Sequence, residues 1–149
     1  MGTLADALAA HTLIGLDTNP FIYLWERHAR YFPLAEVLFR YLTPPQAQGI
    51  TSIITYIEAC VRPQRIGRHD LVAAYENYLF HSRQIRLLPI DAALARRAIA
   101  LRAQYDIYVP DALQIAAALE TGATLFVTGD RRLARVREID VLLFDDYTA

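Results

Sequence analysis

Short apolar runs alternate along the chain with longer stretches whose apolar positions recur every three or four residues. This is the pattern of a parallel sheet covered by helices. Leu13-Ile-Gly-Leu-Asp17 predicts a first strand, and Asn19-Pro20 behind it a helix with proline in its first turn. A further helix is expected over Phe32–Leu42, stopped by Thr43-Pro44-Pro45. Gly49–Ile53 predicts a second strand, and Thr55–Val61 opens a helix that Arg62-Pro63 should interrupt. Asp70 is placed to cap a helix that gathers Leu71, Tyr75 and Tyr78 on one face. Arg86–Ile90 reads as a short strand at a sheet edge, because a proline lies near its end. Asp91 then caps a helix carrying Leu94, Ala98, Leu101 and Tyr105 at helical spacing. The alanine-rich run Asp111–Leu119 is strongly helical, with Gly122 as its terminator. Thr124–Thr128 is the clearest strand; Gly129-Asp130, a short arginine-rich helix and a last strand over Val141–Phe144 complete the chain. Leu4 and Leu8 predict a short helix in an N-terminal extension, residues 1–12. The expectation is one α/β domain over residues 1–149, without repeat or linker.

Composition narrows the chemistry more than the size does. All 15 basic residues are arginine, which removes a Walker-type P-loop, a Schiff-base enzyme and any mechanism that needs a lysine ammonium. The 6 glycines cannot be arranged as G-x-G-x-x-G, and neither Ser52 nor Ser82 sits in G-x-S-x-G. His11, His28, His69 and His81 lack the close spacing of a zinc site. Cys60, the 1 cysteine, cannot form an internal disulfide, and no apolar run reaches the ~18 residues that cross a bilayer. A cytoplasmic protein with no membrane partner is expected. What remains in quantity is carboxylate, 16 residues of it, in a chain of net charge -1. Contact with a nucleic acid would then depend on local arginines or bound cations.

In an open parallel sheet the functional crevice lies beyond the carboxyl ends of the strands, where the winding reverses. Four acids fall there. Asp17 ends the first strand, Glu58 begins the helix after the second, Asp111 opens a helix behind Pro110, and Asp130 follows the Thr124–Thr128 strand. Three have simpler readings as well. Thr55-x-x-Glu58 is also a capping box, Asp111 suits a helix N-terminus, and Gly129-Asp130 suits a turn. Asp17 is harder to explain that way, because a carboxylate closing an apolar strand is costly unless something satisfies it. Together the four would repel one another, and hard cations such as Mg²⁺ or Mn²⁺, which prefer oxygen ligands, would relieve that repulsion. Metal-assisted phosphodiester hydrolysis fits such a site.

Leu16-Asp17-Thr18-Asn19, Thr55-x-x-Glu58, Pro110-Asp111-Ala-Leu-Gln-Ile-Ala-Ala-Ala and Phe126-Val-Thr-Gly-Asp130-Arg-Arg-Leu133 stand in this order along the chain. In order and spacing they resemble the PIN-domain nucleases, and among them the VapC-type toxins of bacterial toxin–antitoxin pairs. The resemblance runs from about Ile14 to Phe144. It implies a three-layer α/β/α sandwich whose parallel sheet has the order 3-2-1-4-5. It implies that Asp17, Glu58, Asp111 and Asp130 hold one or two Mg²⁺ or Mn²⁺ ions, with Thr18, Asn19 and Thr128 lining the site. It further implies endoribonuclease activity, an antitoxin protein as partner and a homodimer. Many relatives carry Asn where Gly129 stands, and many begin almost at the first strand.

Arg131 and Arg132, directly behind Asp130, are the first choice for RNA phosphates, since arginine grips them bidentately; Arg62–Arg68 is the second. Phe21, Tyr23 and Trp25 read as core or dimer interface, with base stacking or antitoxin packing as the alternative. Cys60 reads as a small buried hydrophobe. Two rival functions remain open: a housekeeping RNA-processing nuclease of the same fold, and a non-catalytic module that binds an antitoxin.

Overall fold

The computed structural model describes residues 2–148. Strands β1 (Leu13–Leu16), β2 (Gln48–Ser52), β3 (Ile85–Leu88), β4 (Leu125–Thr128) and β5 (Asp140–Leu143) form a parallel sheet in the order β3-β2-β1-β4-β5. The central register sets Ile14 opposite both Gly49 and Leu125, and Gly15 opposite Ile50 and Phe126. Because successive strand residues face opposite sides, this register sorts the apolar side chains into two layers. Ile14, Leu16, Leu125 and Val127 join one core, while Ile50 and Phe126 join the other.

The first face is covered by α2 (Thr18–Trp25), α3 (Phe32–Tyr41), α4 (Ile53–Arg65) and α5 (His69–His81), which bury Phe21, Leu38, Phe39, Ala59, Tyr75 and Leu79. Phe21 is core, while Trp25, which packs on Tyr75 and Tyr78, and Tyr23, which stacks on Tyr31, are half-buried against it. The opposite face carries α6 (Ala92–Tyr105) and α7 (Val109–Glu120). The alanines of α7 follow from close approach. A Cβ at Gly15 would stand 2.5 Å from that of Ala118, so the helix lies almost on the strand and leaves no room for larger residues. The expected three layers and the strand order are both present.

A short helix, α1 (Leu4–Leu8), precedes the first strand. Thr3 and Asp6 close its start reciprocally, and Leu4 and Leu8 are buried in the first core. Tyr41 of α3 donates its hydroxyl to the His11 carbonyl at 2.6 Å, fastening the extension to the body.

Expectations about helix ends and caps differ from the structure at three points. The helix begun after β2 does not stop at Pro63 but runs through it to Arg65, ending before Gly67 at φ 75°. Proline there forgoes one helical bond near the C-terminal end, and its buried ring packs in compensation. The helix is capped by Ser52, whose hydroxyl accepts from the Ile54 amide, so the capping box at Thr55 does not form; Thr55 is buried beneath. Asp70 lies inside the first turn of α5 and pairs with Arg68 rather than capping it.

Candidate functional site

Each acid reaches the carboxyl edge of the sheet by a different local device. Asp17 is the last extended residue after β1 and caps α2; its backbone amide still bonds to the Val127 carbonyl of β4 at 3.0 Å. Its Oδ1 accepts from the Thr18 amide at 2.9 Å and its Oδ2 from the Thr128 hydroxyl at 2.7 Å. Thr128 in turn accepts from the Asp130 amide at 3.0 Å, which ties the loop after β4 to the end of β1. Glu58 lies in the second turn of α4, one turn later than the sequence pattern suggests. Its Oε1 accepts from the Thr18 hydroxyl at 2.6 Å. Asp111 stands in the first turn of α7, behind Pro110 at the second helical position.

These side chains line one open crevice together with Asn19, Gly129, Arg131 and Arg132. The structure therefore brings all four carboxylates, Asn19 and both arginines to one place. Thr18 and Thr128 sit beneath the crevice and touch the acids from below. None of the residues of Arg62–Arg68 lines this crevice. Arg62 and Arg65 belong to the far end of α4, Arg62 lies 3.8 Å from Glu26, and Arg68 is paired with Asp70. A helix advances about 1.5 Å per residue, so Arg62 stands ~6 Å and Arg65 ~10 Å beyond Glu58 along the axis of α4.

The electrostatics are uneven. Burial pushes the Asp17 carboxyl up to about 6, against the hydrogen bonds from Thr128 and Thr18 that lower it; repulsion from Asp111 and Glu58 adds to the rise. Asp111 is raised too, by burial first and then by Asp130. Asp130 is lowered, because Arg132 folds back on it, Nη2 to Oδ2 at 2.6 Å and Nε to Oδ1 at 3.1 Å. The same guanidinium lies over the Tyr108 ring, 4.9 Å from its centroid. Arg131 reaches Asp146 at 3.0 Å.

Among the described residues no three His, Cys, Asp or Glu side chains are gathered tightly enough to hold an ion by themselves. Glu58 leans on Thr18 and Asp130 on Arg132, so the carboxylates ring the crevice without closing on its centre. The donor set still fits Mg²⁺ or Mn²⁺, which keep several waters and take one or two carboxylates directly. An acid raised first by burial and then by two neighbouring acids is one whose ionised form a hard cation stabilises.

Gln114 is the residue that sequence reasoning passed over. It is 1% exposed, one turn along α7 from Asp111, and it bonds to Ser52, Thr55 and Thr18. Its signal was present as the single polar residue inside the buried run Ala112–Ala118.

A parallel α/β sheet with a carboxylate-lined crevice at its winding reversal defines the class of this protein. Residues 14–139 match the PIN domain, and the chain belongs to that family. Solved structures agree on the fold. A toxin–antitoxin complex from Klebsiella pneumoniae superposes with a TM-score of 0.64 at 23% identity, covering 89% of this chain and 97% of that one. VapC20 of Mycobacterium tuberculosis, described as a sarcin-ricin loop cleaving toxin, gives 0.67 at 20% identity over 87% and 99% of the two chains. DNA-bound VapBC from Salmonella typhimurium gives 0.67 at 18% identity over 89% and 98%. No curated protein matches the sequence.

Proposed function

We infer that this protein is a divalent-metal-dependent endoribonuclease and the toxin of a toxin–antitoxin pair. The observation that carries the reading is the convergence of Asp17, Glu58, Asp111 and Asp130, from four separate segments, on one crevice rimmed by Arg131 and Arg132. The four acids are the proposed ligands of one or two Mg²⁺ or Mn²⁺ ions. Bound there, the metal supplies a Lewis acid and a water of lowered pKa for attack at phosphorus.

The chain's own residues do the rest. Thr128 and the Thr18 amide hold the two oxygens of Asp17 in place at the crevice floor, and the Thr18 hydroxyl holds Glu58. Arg131 and Arg132 stand where a phosphodiester would approach, and each is long enough to exchange its carboxylate partner for a phosphate. The residues lining the crevice include no histidine, so the chain offers no imidazole base there.

The partners belong to the same proposal. Structural relatives are described as toxin–antitoxin complexes, which supports an antitoxin partner for this chain. Exposed Ile90, Ile99 and Val109 beside a groove between α6 and α7 support a homodimer through that face. No helix among the described residues is long and apolar enough to cross a membrane, and a cytoplasmic location is part of the proposal.

The test is cleavage of total bacterial RNA by purified, antitoxin-free protein with Mg²⁺ or Mn²⁺, with new 5′ ends mapped by sequencing. Discrete ends that vanish with chelator and in Asp111→Asn are the expected result. Ends that persist in Asp111→Asn, or without metal, would refute the assignment.

A further inference from the structure

Below the carboxylates lies a buried polar network. Thr18, Thr51, Ser52, Thr55 and Gln114 are all buried, between β2, α4, α7 and the start of α2. Gln114 stands at its centre. Its Oε1 accepts from the Ser52 amide at 3.2 Å and the Ser52 hydroxyl at 2.7 Å. Its Nε2 donates to Thr55 at 2.7 Å and to Thr18 at 3.2 Å.

The orientation of this amide follows from chemistry. A backbone N–H can only donate, so the Gln114 atom that faces Ser52 must be the carbonyl oxygen. The amide nitrogen therefore faces the threonines, and it too can only donate. Thr18 Oγ1 receives that hydrogen, which leaves its own proton for the one acceptor-only group it touches, the Glu58 carboxylate. Hydrogen-bond direction is thus transmitted from the backbone of β2, through α7, to a carboxylate on α4. Thr55 is held as well, with Thr51 at 2.6 Å, and Thr51 donates onward to the Leu16 carbonyl at 3.0 Å, one residue before Asp17.

We propose that Gln114 is the positioning residue of the metal site: it fixes the Thr18 hydroxyl so that Glu58 is presented to the crevice in one orientation. The proposal rests on the metal-binding reading of the crevice and adds to it a residue that touches neither ion nor RNA. Groups that orient a ligand from behind commonly change metal affinity by about 10–100-fold when removed.

The test is Mn²⁺ affinity of the full chain, read by calorimetry or by the resonance of free Mn²⁺, beside the melting midpoint in chelator. Gln114→Met keeps the length of the side chain and deletes its hydrogen bonds. It is expected to weaken Mn²⁺ binding about 10-fold or more. In a Thr18→Val background the same substitution should cost nothing further, since the path to Glu58 is already cut. Unchanged Mn²⁺ affinity with a lowered midpoint would overturn the proposal and leave Gln114 a structural residue. Additive losses in the double variant would overturn the route through Thr18.

Should Gln114→Met fail to fold, the Thr18 pair decides. Thr18→Val should weaken Mn²⁺ binding and Thr18→Ser restore it, and wild-type affinity in Thr18→Val would overturn the proposal. Absence of Mn²⁺ binding in the wild-type chain would overturn the metal reading itself, an outcome distinct from a silent Gln114 variant in a chain that binds.

Discussion

At Asp17, structure and chemistry pull in opposite directions. Its folded-state value of about 6 lies above the ordinary 3.8, so the ionised carboxylate costs folding free energy at neutral pH. That cost is complete above about 6 and fades as the pH falls toward 3.8; it amounts to at most about 3 kcal/mol. Asparagine caps helices as well as aspartate does. Asp17→Asn is therefore expected to raise the metal-free melting midpoint at pH 7.5 by about 3–10 °C, with the gain shrinking toward pH 5. Mn²⁺ should raise the wild-type midpoint by mass action and leave the variant unmoved. Thermal scans across pH in chelator check the first expectation, and a lower midpoint for the variant at pH 7.5 would contradict it.

Gly129 poses a second question at the same scale. A Cβ there would meet the Tyr23 hydroxyl at 2.5 Å, so the short residue is explained by a neighbour on α2. Gly129→Ala should cost about 1–3 kcal/mol, and clearly less in a Tyr23→Phe background, where the obstructing oxygen is gone. Denaturant melts of the four chains measure the coupling.

Among the elements, α1 is the one whose existence the periodicity suggested and whose purpose it did not. The spacing of Leu4 and Leu8 predicts a helix, but only the packed structure shows both side chains inside the first core against α3. Leu8→Ala should then destabilise the fold by about 2–5 kcal/mol, as a core leucine does and a surface one does not. A denaturation midpoint within error of wild type would show that α1 is dispensable to the fold. Pro63 teaches the opposite lesson. Local rules end a helix before proline, yet α4 keeps its course because tertiary packing outweighs one missing bond. Asp91 was legible because a cap is a short-range event: its carboxylate accepts from the Leu94 amide at 2.9 Å as its position implied. Asp70 follows the same rule and loses to a nearby arginine.

For the whole molecule, a net charge of -1 leaves no general attraction for a polyanion, so the proposed RNA binding would have to be local. Arg132 is the cation closest to the acids, and Arg132→Gln should raise KM for RNA and flatten the dependence of binding on salt by about 0.7 in log–log slope, the share of one phosphate contact to a single strand. Binding measured from 50 to 300 mM salt tests this, and an unchanged slope would remove Arg132 from the RNA contacts.

The alternation of strands and helices, the parallel sheet and the strand-end positions of the four acids are legible along the chain, because periodicity and strand-end position are local properties. The sheet order came through the family resemblance, and the observed order agrees with it. How the polar residues beneath the acids pair with one another is set by the fold alone. Gln114 is separated from Thr18 by 96 residues, and Thr128 from Asp17 by 111, so each pairing exists only once the sheet has wound and α7 has settled onto β1. The fold likewise leaves Arg62–Arg68 out of the crevice lining, a placement that the order of residues does not give. Hydrogen bonds and desolvation act over a few ångströms of space, whereas the chain lists its residues by covalent order, and it is the fold that converts the second into the first.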